Sequence, residues 1–250
     1  MQSLMMTLSR TIVFSMITFL GSMTLAGMEP LKPNSQTLLV IAQESKSDGS
    51  LKPVICQHNF DVRPDRLTIT DDFKLNIPEK NAPSSKKPAK VGAWPVLKMI
   101  ETRFTNETIL SPQFQWRSSK RVEVGEMSRT TECQISKNEI FLTTTGNKMT
   151  PTQRKISFQG PILPYNSLSY FFYYHGRGPI GVAADLNLFI DERQELVKVS
   201  YVYLGTRMIQ KKKIYRFEIK GGLTQIMSLE QGGRIFEIIN ITDHFRVNQI

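Results

Sequence analysis

The sequence predicts a mainly β protein: an antiparallel meander forming a strongly curved sheet, half-barrel or barrel, with one or two short helices. Three observations lead to this fold class. Apolar and polar residues alternate along many short stretches, which is the period of a half-buried strand. Short polar or Gly-rich segments separate these stretches, as hairpin turns do. A single aromatic cluster has helical spacing instead. The chain of 250 residues is long enough to bury a sizeable core.

The first 26 residues have the order of a secretory signal peptide. Arg10 is their only charged side chain, and an uncharged run over residues 11–27 ends in small residues. We expect cleavage after Ala26, with Gly27 as the other candidate position and an uncleaved N-terminal anchor as the alternative. Met28 stands where the lipobox of a bacterial lipoprotein has its cysteine, and a thioether cannot supply the thiolate nucleophile. We therefore expect an exported chain without a lipid anchor, in the periplasm or outside the cell, with peripheral attachment to the outer membrane as an option.

Residues 30–77 predict an N-terminal β element. The stretches "TLLVIAQ", "PVICQHNFDV" and "DRLTITDDFKLNI" look extended, and Asp71-Asp72 has the composition of a turn. Residues 78–95 are rich in proline and lysine and poor in apolar anchors, which is typical of an exposed loop or linker. Residues 96–250 then form the predicted main antiparallel domain. Their first stretch, 95–104, fits a short helix or a strand, and the sequence leaves open whether the N-terminal element joins the main sheet.

The last third has the clearest strand pattern. Alternation or a continuous apolar run predicts strands over 183–190, 195–204, 213–220, 223–229 and 234–242. The predicted connectors are Asp191–Gln194, Gly205-Thr206, Gly221-Gly222 and Gln231–Gly233. Their short length predicts hairpins between neighbouring strands, and hence a meander of about five strands.

An aromatic segment precedes that meander. In "PYNSLSYFFYYHGRGP", residues 164–179, Asn166 or Ser167 can cap a two-turn helix and Gly176 can stop it. One interpretation is that this helix fills the open side of the curved sheet. The other is a mobile lid over an apolar groove, with Arg177 holding an anionic headgroup at the rim. The second gives the candidate ligand-binding residues Phe171, Phe172, Tyr173, Tyr174, His175 and Arg177.

The motif "NSLSYFFYY", followed by an antiparallel meander, resembles a family of uncharacterised bacterial exported β-rich proteins over about residues 160–242. Their sheets are similar to the half-barrel of periplasmic lipoprotein carriers. The family opens this helix with an acidic residue, whereas this chain has Asn166. The resemblance implies a fold and a compartment, and binding of acyl chains by analogy.

The charge of the chain indicates its partners. It carries 32 Lys and Arg against 22 Asp and Glu, a net charge of +10. Nucleic acid is an unsuitable partner for an exported protein, so the charge points to anionic lipid or an anionic envelope polymer, or serves solubility alone. Lys211, Lys212 and Lys213 fall in a predicted turn and are further ligand candidates.

Two cysteines follow the signal segment, and export permits a disulfide. We expect Cys56 and Cys133 to pair, which leaves two buried thiols, or metal binding through Cys56-Gln57-His58, as alternatives. A Cys-x-His pair lacks the further ligands that a zinc site needs, so no metal is expected.

Catalytic motifs are absent from the sequence. It contains no Gly-x-Ser-x-Gly elbow, His-Glu-x-x-His, P-loop or dinucleotide fingerprint. His58, His175 and His244 are scattered, and Asp191-Glu192 falls in a predicted turn, where acids are common. We therefore expect a non-catalytic, cofactor-free domain that binds an amphipathic or anionic envelope component. An assembly module that binds a protein partner and an envelope hydrolase remain as alternatives.

Overall fold

The computed structural model describes residues 30–42, 54–78, 99–125, 128–242 and 245–250. The expected signal peptide, the linker from residue 79 onward and His244 lie outside them. The strands are β1 (Asn34–Ala42), β2 (Val54–Val62), β3 (Leu67–Pro78), β4 (Met99–Leu110), β5 (Trp116–Val124), β6 (Arg129–Ser136), β7 (Glu139–Gly146), β8 (Met149–Ser157), β9 (Ile162–Pro164), β10 (Ala183–Ile190), β11 (Glu195–Ile209), β12 (Lys212–Gly221), β13 (Gln225–Leu229), β14 (Ile235–Asn240) and β15 (Phe245–Gln249). A 3₁₀ turn, Tyr165–Ser167, leads into the helix α1, Leu168–Tyr174.

All of these strands belong to one sheet, and the mainly β prediction is confirmed. The order is β8 to β1 in reverse sequence, then β15 to β9, so that the first and last strands pair in the middle. Every pairing is antiparallel except that of β9 with β10. The two edges, β8 and β9, follow each other in the chain but do not pair, so the sheet is not closed. The N-terminal β element, whose place the sequence left open, contributes β1, β2 and β3 to this sheet in its described residues.

The sheet curves so that strands far apart in its order meet across the interior. Trp116 of β5 packs against Phe189 of β10 with ring centroids 5.1 Å apart, although nine strands separate β5 from β10 in the sheet. A flat sheet would hold such strands tens of ångströms apart, at about 4.8 Å per strand. The curvature buries one face of nearly every strand and leaves β8 exposed along almost its whole length.

Helix α1 lies against the concave face and forms much of the core. Tyr170 stacks on Phe60 of β2 at 3.9 Å, and Phe172 stacks on Phe217 of β12 at 4.9 Å. Each of these four side chains is at most 1% exposed. Complete burial of a large apolar side chain contributes roughly 1.5–3 kcal/mol, so these contacts are a main source of stability. The helix ends where the Gly176 amide bonds to the carbonyls of Phe171 and Phe172.

Two local predictions are wrong, and the structure decides a third stretch that the sequence left open between helix and strand. Asp71-Asp72 is no turn but the middle of β3, because both carboxylates find cross-strand partners, His58 and Arg103. From Met99 onward the stretch 95–104 is strand, because it pairs with β3 along its whole length. Gly205-Thr206 is no connector: β11 passes through it with a bulge at Gly205, whose φ is +91°, and turns at Gln210–Lys211.

The expected disulfide is also wrong. Cys56 of β2 and Cys133 of β6 are free and buried. Three strands, β3, β4 and β5, lie between β2 and β6 in the sheet. A disulfide needs Cα atoms about 4.4–6.8 Å apart, little more than one strand spacing. The curvature of the sheet brings distant strands together, but it does not bring these two side chains into contact.

Both thiols are expected to resist alkylation in the folded protein. Burial is the main cause that raises the pKa of each thiol to about 12. At pH 8 the thiolate fraction is then roughly a thousandfold below that of an unperturbed cysteine. Iodoacetamide should leave the native chain unmodified and label two sites in urea, as measured by intact mass. If the mass of the native chain instead rises by two hydrogens on reduction, Cys56 and Cys133 form a disulfide and this prediction is wrong.

Candidate functional site

A row of polar side chains crosses the concave face of the sheet. Its members are cross-strand partners, one to the next, from β1 to β7: Gln36, His58, Asp71, Asn106, Arg121, Thr131 and Thr144. Directly opposed residues on neighbouring strands share a face, so register alone places all seven together. We call this set the polar row. All members except Asp71 are buried, and the Asp71 side chain keeps 14% exposure.

The turn between β10 and β11, residues 191–194, docks on the polar row. Asp191 accepts hydrogen bonds from Asn106 Nδ2 at 3.4 Å and from Ser119 Oγ at 3.1 Å. Glu192 accepts one from Arg121 Nη1 at 2.9 Å. Gln194 Nε2 donates to Thr131 Oγ1 at 3.2 Å. The acidic hairpin turn that the sequence predicts is therefore present, but its first acid, Asp191, is buried in the interior, whereas Glu192 stays exposed.

Asp191 is the most perturbed carboxyl group of this contact. Burial, and to a lesser degree the neighbouring Glu192 carboxylate, raise the pKa of Asp191 from 3.8 to about 7. Hydrogen bonds from Asn106 and Ser119 oppose this rise because they stabilise the ionised form. The turn thus carries a group that changes charge near neutral pH inside the protein.

A cavity of about 500 Å³ lies between helix α1, this turn and the concave face. Most of its wall is apolar, with contributions from both halves of the sheet: Leu38, Val40, Phe73, Met227, Ile238 and Val247. The exposed Glu192 and Arg193 mark its rim. This volume is in the range of pockets that hold one small organic molecule.

Polar groups are concentrated on one wall of the cavity. His58 Nδ1 and Asp71 Oδ1 form a hydrogen bond, and Asn166 Nδ2 donates to the other Asp71 oxygen at 3.0 Å. Thr108 in turn donates to Asn166 Oδ1 at 3.1 Å. The His58 ring stacks on Tyr170 of the helix, with centroids 5.4 Å apart. Tyr170 of helix α1 therefore packs against the imidazole, and Asn166 of the preceding 3₁₀ turn holds the carboxylate.

Three buried polar atoms of this wall have no hydrogen-bond partner among the described residues. They are His58 Nε2, Asn106 Oδ1 and Ser169 Oγ. Each belongs to a residue that lines the cavity. A buried polar atom without a partner costs about 1–3 kcal/mol, so such atoms point to something that binds there.

No activated nucleophile accompanies the His58–Asp71 pair. The only thiol in the lining, Cys56, has its pKa raised and not lowered, which opposes nucleophilic attack. Over the described ranges, no group of three or more His, Cys, Asp and Glu side chains is placed to hold a metal ion. Within the same residues, no helix has both the length and the apolar character that a membrane span requires.

The predicted aromatic candidates lie beside this cavity and not in its wall. Phe172 and Tyr173 are fully buried, Tyr174 is 5% exposed, and Phe171 is half-buried. His175 is exposed, with its ring edge against Phe114 at 5.0 Å. The cavity is lined instead by Asn166 of the 3₁₀ turn and Ser169 of the first turn of the helix.

The predicted cationic candidates also lie outside the cavity wall. Arg177 stacks over the rings of Tyr173 and Tyr215, at 4.6 Å and 5.2 Å. Lys212 pairs with the nearly buried Glu230 at 2.7 Å, and Lys213 lies 5.3 Å from the Tyr215 ring. Lys211 is in the exposed turn before β12, with φ of +64°. None of these cations lines the cavity.

Sequence reasoning missed the members of the polar row and gave Asp191 no role. A signal was present for one of them: in "CQHNF", Cys56, His58 and Phe60 alternate, so His58 shares the inward face of β2 with two buried residues. For Asp71, Asn106 and Asp191 no local signal exists, because their roles depend on register between strands and on the curvature.

A solved structure shares this fold. The crystal structure of a β-barrel-like protein of the domain of unknown function DUF1849 from Brucella abortus matches with a TM-score of 0.58 and 8% identity, over 89% of this chain and 97% of that chain. A protein of the DUF1089 family from Pseudomonas aeruginosa matches with a TM-score of 0.40 and 9% identity, over 84% and 90%. No protein-family model matches the chain, and no curated protein matches its sequence. The first likeness shows a β-barrel-like fold and no more.

Proposed function

We propose that this protein is an exported, non-catalytic domain that binds one amphipathic molecule of the cell envelope in its interior cavity. The observation that carries the proposal is the cavity of about 500 Å³, with a mostly apolar wall and polar groups at one side. An apolar enclosure with a few fixed polar groups suits a ligand that is itself apolar with one polar end. The half-barrel of a lipoprotein carrier, implied by the sequence resemblance, would work in the same way.

The export expectation agrees with this proposal. A molecule of the envelope would meet the protein in the periplasm or outside the cell, where the signal-like residues 1–26 would send it. The basic net charge of +10 would favour the anionic surfaces present there. The exposed cations, including Lys211 and Lys213, would act in that long-range attraction and not in holding the ligand.

The hydrolase alternative has the His58–Asp71 pair in its favour, since a carboxylate commonly orients a histidine base. It lacks a nucleophile: Nε2 of His58 has no hydroxyl or thiol partner in the described chain. The assembly alternative would use an exposed sheet edge. The edge strand β8 carries Pro151, Arg154 and Lys155, which are features that discourage pairing with another strand. Binding therefore remains the better-supported proposal.

Filling the cavity should abolish binding. Val247 of β15 is 6% exposed and lines the cavity, so Val247→Phe places extra bulk there. We expect the whole chain, produced in a bacterium and purified without detergent, to carry a small-molecule mass in native mass spectrometry. Val247→Phe should lose that mass and bind the neutral reporter N-phenylnaphthylamine at least about tenfold more weakly, a difference of roughly 1.4 kcal/mol.

The matched control is Val124→Phe, the same substitution on the exposed face of β5. Val124 is 54% exposed and does not line the cavity, so its variant should behave as the unchanged protein does. A clean mass together with no reporter binding by the unchanged protein would overturn the proposal. Equal loss in the two variants would also count against the cavity as the site.

A further inference from the structure

The charge of the cavity wall differs from the charge of the protein as a whole. The chain has a net charge of +10, yet the described residues lining the cavity include three carboxyl groups, Asp71, Asp191 and Glu192, and no lysine. One guanidinium, that of Arg193, lies at the rim. Asp191, with a pKa of about 7, is only partly ionised at neutral pH. A carboxylate or phosphate head would nevertheless find no lysine in this lining and would face the carboxyl group of Asp71.

The hydrogen-bonding capacity of the wall also favours a ligand that donates hydrogen bonds. Asp71 accepts from His58 and Asn166, one bond on each oxygen, and a carboxylate has about four lone-pair sites. Because a carboxylate can only accept, His58 donates from Nδ1, which leaves Nε2 as an acceptor in the neutral ring. Asn106 Oδ1 is a further acceptor without a partner. The atoms of this wall that can still form hydrogen bonds are therefore mainly acceptors.

Register places these acceptors side by side. His58 opposes Asp71, and Asp71 opposes Asn106, on three neighbouring strands. Opposed residues have Cβ atoms about 4.5–5.5 Å apart, so one polar group of a ligand can reach two of the three side chains. Ser169 Oγ, also without a partner, can donate or accept and completes the set from the helix.

We propose that the cavity takes an amphiphile whose polar end donates hydrogen bonds, a hydroxyl or an ammonium group, to His58, Asp71 and Asn106, with its apolar part along the wall formed by β1 and β13–β15. This inference rests on the proposed function. It assigns the polar row a ligand-binding role and excludes fatty acids and alkyl phosphates as preferred ligands.

The test compares matched amphiphiles on the whole chain. Dodecanol, dodecylamine, dodecanoate and dodecyl phosphate, each below its micelle concentration, compete with N-phenylnaphthylamine at pH 7. We expect dodecanol and dodecylamine to displace the reporter at concentrations at least about tenfold lower than the two anions. Hydroxyl and ammonium heads can donate hydrogen bonds to the acceptors of this wall, whereas carboxylate and phosphate heads mainly accept and would face the Asp71 carboxyl group. Dodecanoate or dodecyl phosphate binding as tightly as dodecanol would overturn the inference.

A variant that removes the charge of Asp71 distinguishes an ammonium head from a hydroxyl head. Asp71→Asn should reduce the affinity for dodecylamine about tenfold and that for dodecanol less, because only the ammonium loses an ionic partner. Asp61→Asn is the control: it removes the same charge from an exposed position on β2, and affinities should not change. The comparison of ligands needs no variant, so the inference stays testable if Asp71→Asn fails to fold. Failure of every amphiphile and of the reporter to bind would overturn the proposed function as well, whereas equal binding of all four would overturn the headgroup preference alone.

Discussion

Replacing Phe172 with alanine is expected to lower the free energy of unfolding by about 3–5 kcal/mol. Phe172 is fully buried, stacks on Phe217 at 4.9 Å and packs against Tyr201 at 4.8 Å. Removal of its ring loses the free energy gained by transferring the ring from water into the interior. It also leaves a void that the sheet on one side and the helix on the other cannot close. Urea denaturation followed by circular dichroism measures the difference.

The control for that substitution is Phe141→Ala. Phe141, on β7, is 42% exposed and contacts Lys155, so its loss should cost less than about 1 kcal/mol. A cost for Phe172→Ala no greater than that for Phe141→Ala would mean that the helix does not lie packed in the interior. The mobile lid, the other interpretation of the aromatic segment, would then be favoured.

Asp191 is expected to make the protein less stable as the pH rises from about 4 to 7. Its pKa is about 7 in the folded chain, against 3.8 for an unperturbed aspartate, because of burial first and of Glu192 second. Between these values the folded state binds more protons than the unfolded state, so the free energy of unfolding falls as pH increases. The total fall from this group is on the order of 4 kcal/mol, complete above pH 7 and absent below the unfolded pKa.

Asp191→Asn should remove this dependence. The amide is neutral at every pH, keeps the size of the side chain and can still accept the hydrogen bond from Ser119. We expect the variant to be more stable than the unchanged protein at pH 8 and to show no advantage at pH 4, by urea denaturation across that range.

Other carboxyl groups also contribute to the pH dependence of stability, so only the difference between the two proteins is informative. Asp72, for example, has its pKa lowered, mainly by its hydrogen bond from Arg103, and favours stability at higher pH. That contribution is present in both proteins and cancels. Asp61→Asn, on an exposed site, should follow the unchanged protein throughout. Parallel pH profiles for Asp191→Asn and the unchanged protein would show that Asp191 is not buried in the folded state.

Phe172 also shows what a sequence can and cannot reveal. Phe172 lies in a run of five aromatic residues, Tyr170–Tyr174, in a segment whose spacing predicted a short helix, and α1 occupies Leu168–Tyr174 as expected. The sequence could not choose between a packed helix and a lid, because that depends on which strands face it. The same holds for Arg177 and for Lys212: their cationic character was evident, but the Tyr173 ring and Glu230 that engage them were not.

The failures have one physical cause. Asp71-Asp72 and Gly205-Thr206 look like turns because short-range composition is all that a local pattern contains. Cross-strand partners overrule that composition: Asp71 binds His58 and Asn166, and Gly205 makes a bulge within β11. The disulfide between the two cysteines was expected only because an exported protein can form one. The number of residues between them does not reveal how many strands separate them in the sheet.

The sequence by itself determined the period of the strands, all but one of the turns of the last third and the aromatic helix, because these follow from the side chains of near neighbours. Only the tertiary structure decided where the site lies. Asn106 meets Asp191 across 85 residues, and Asp71 meets Asn166 across 95. Such contacts depend on strand register, and a shift by one residue would move every member of the polar row to the opposite face. The cavity exists because register and curvature together place that row opposite an apolar wall.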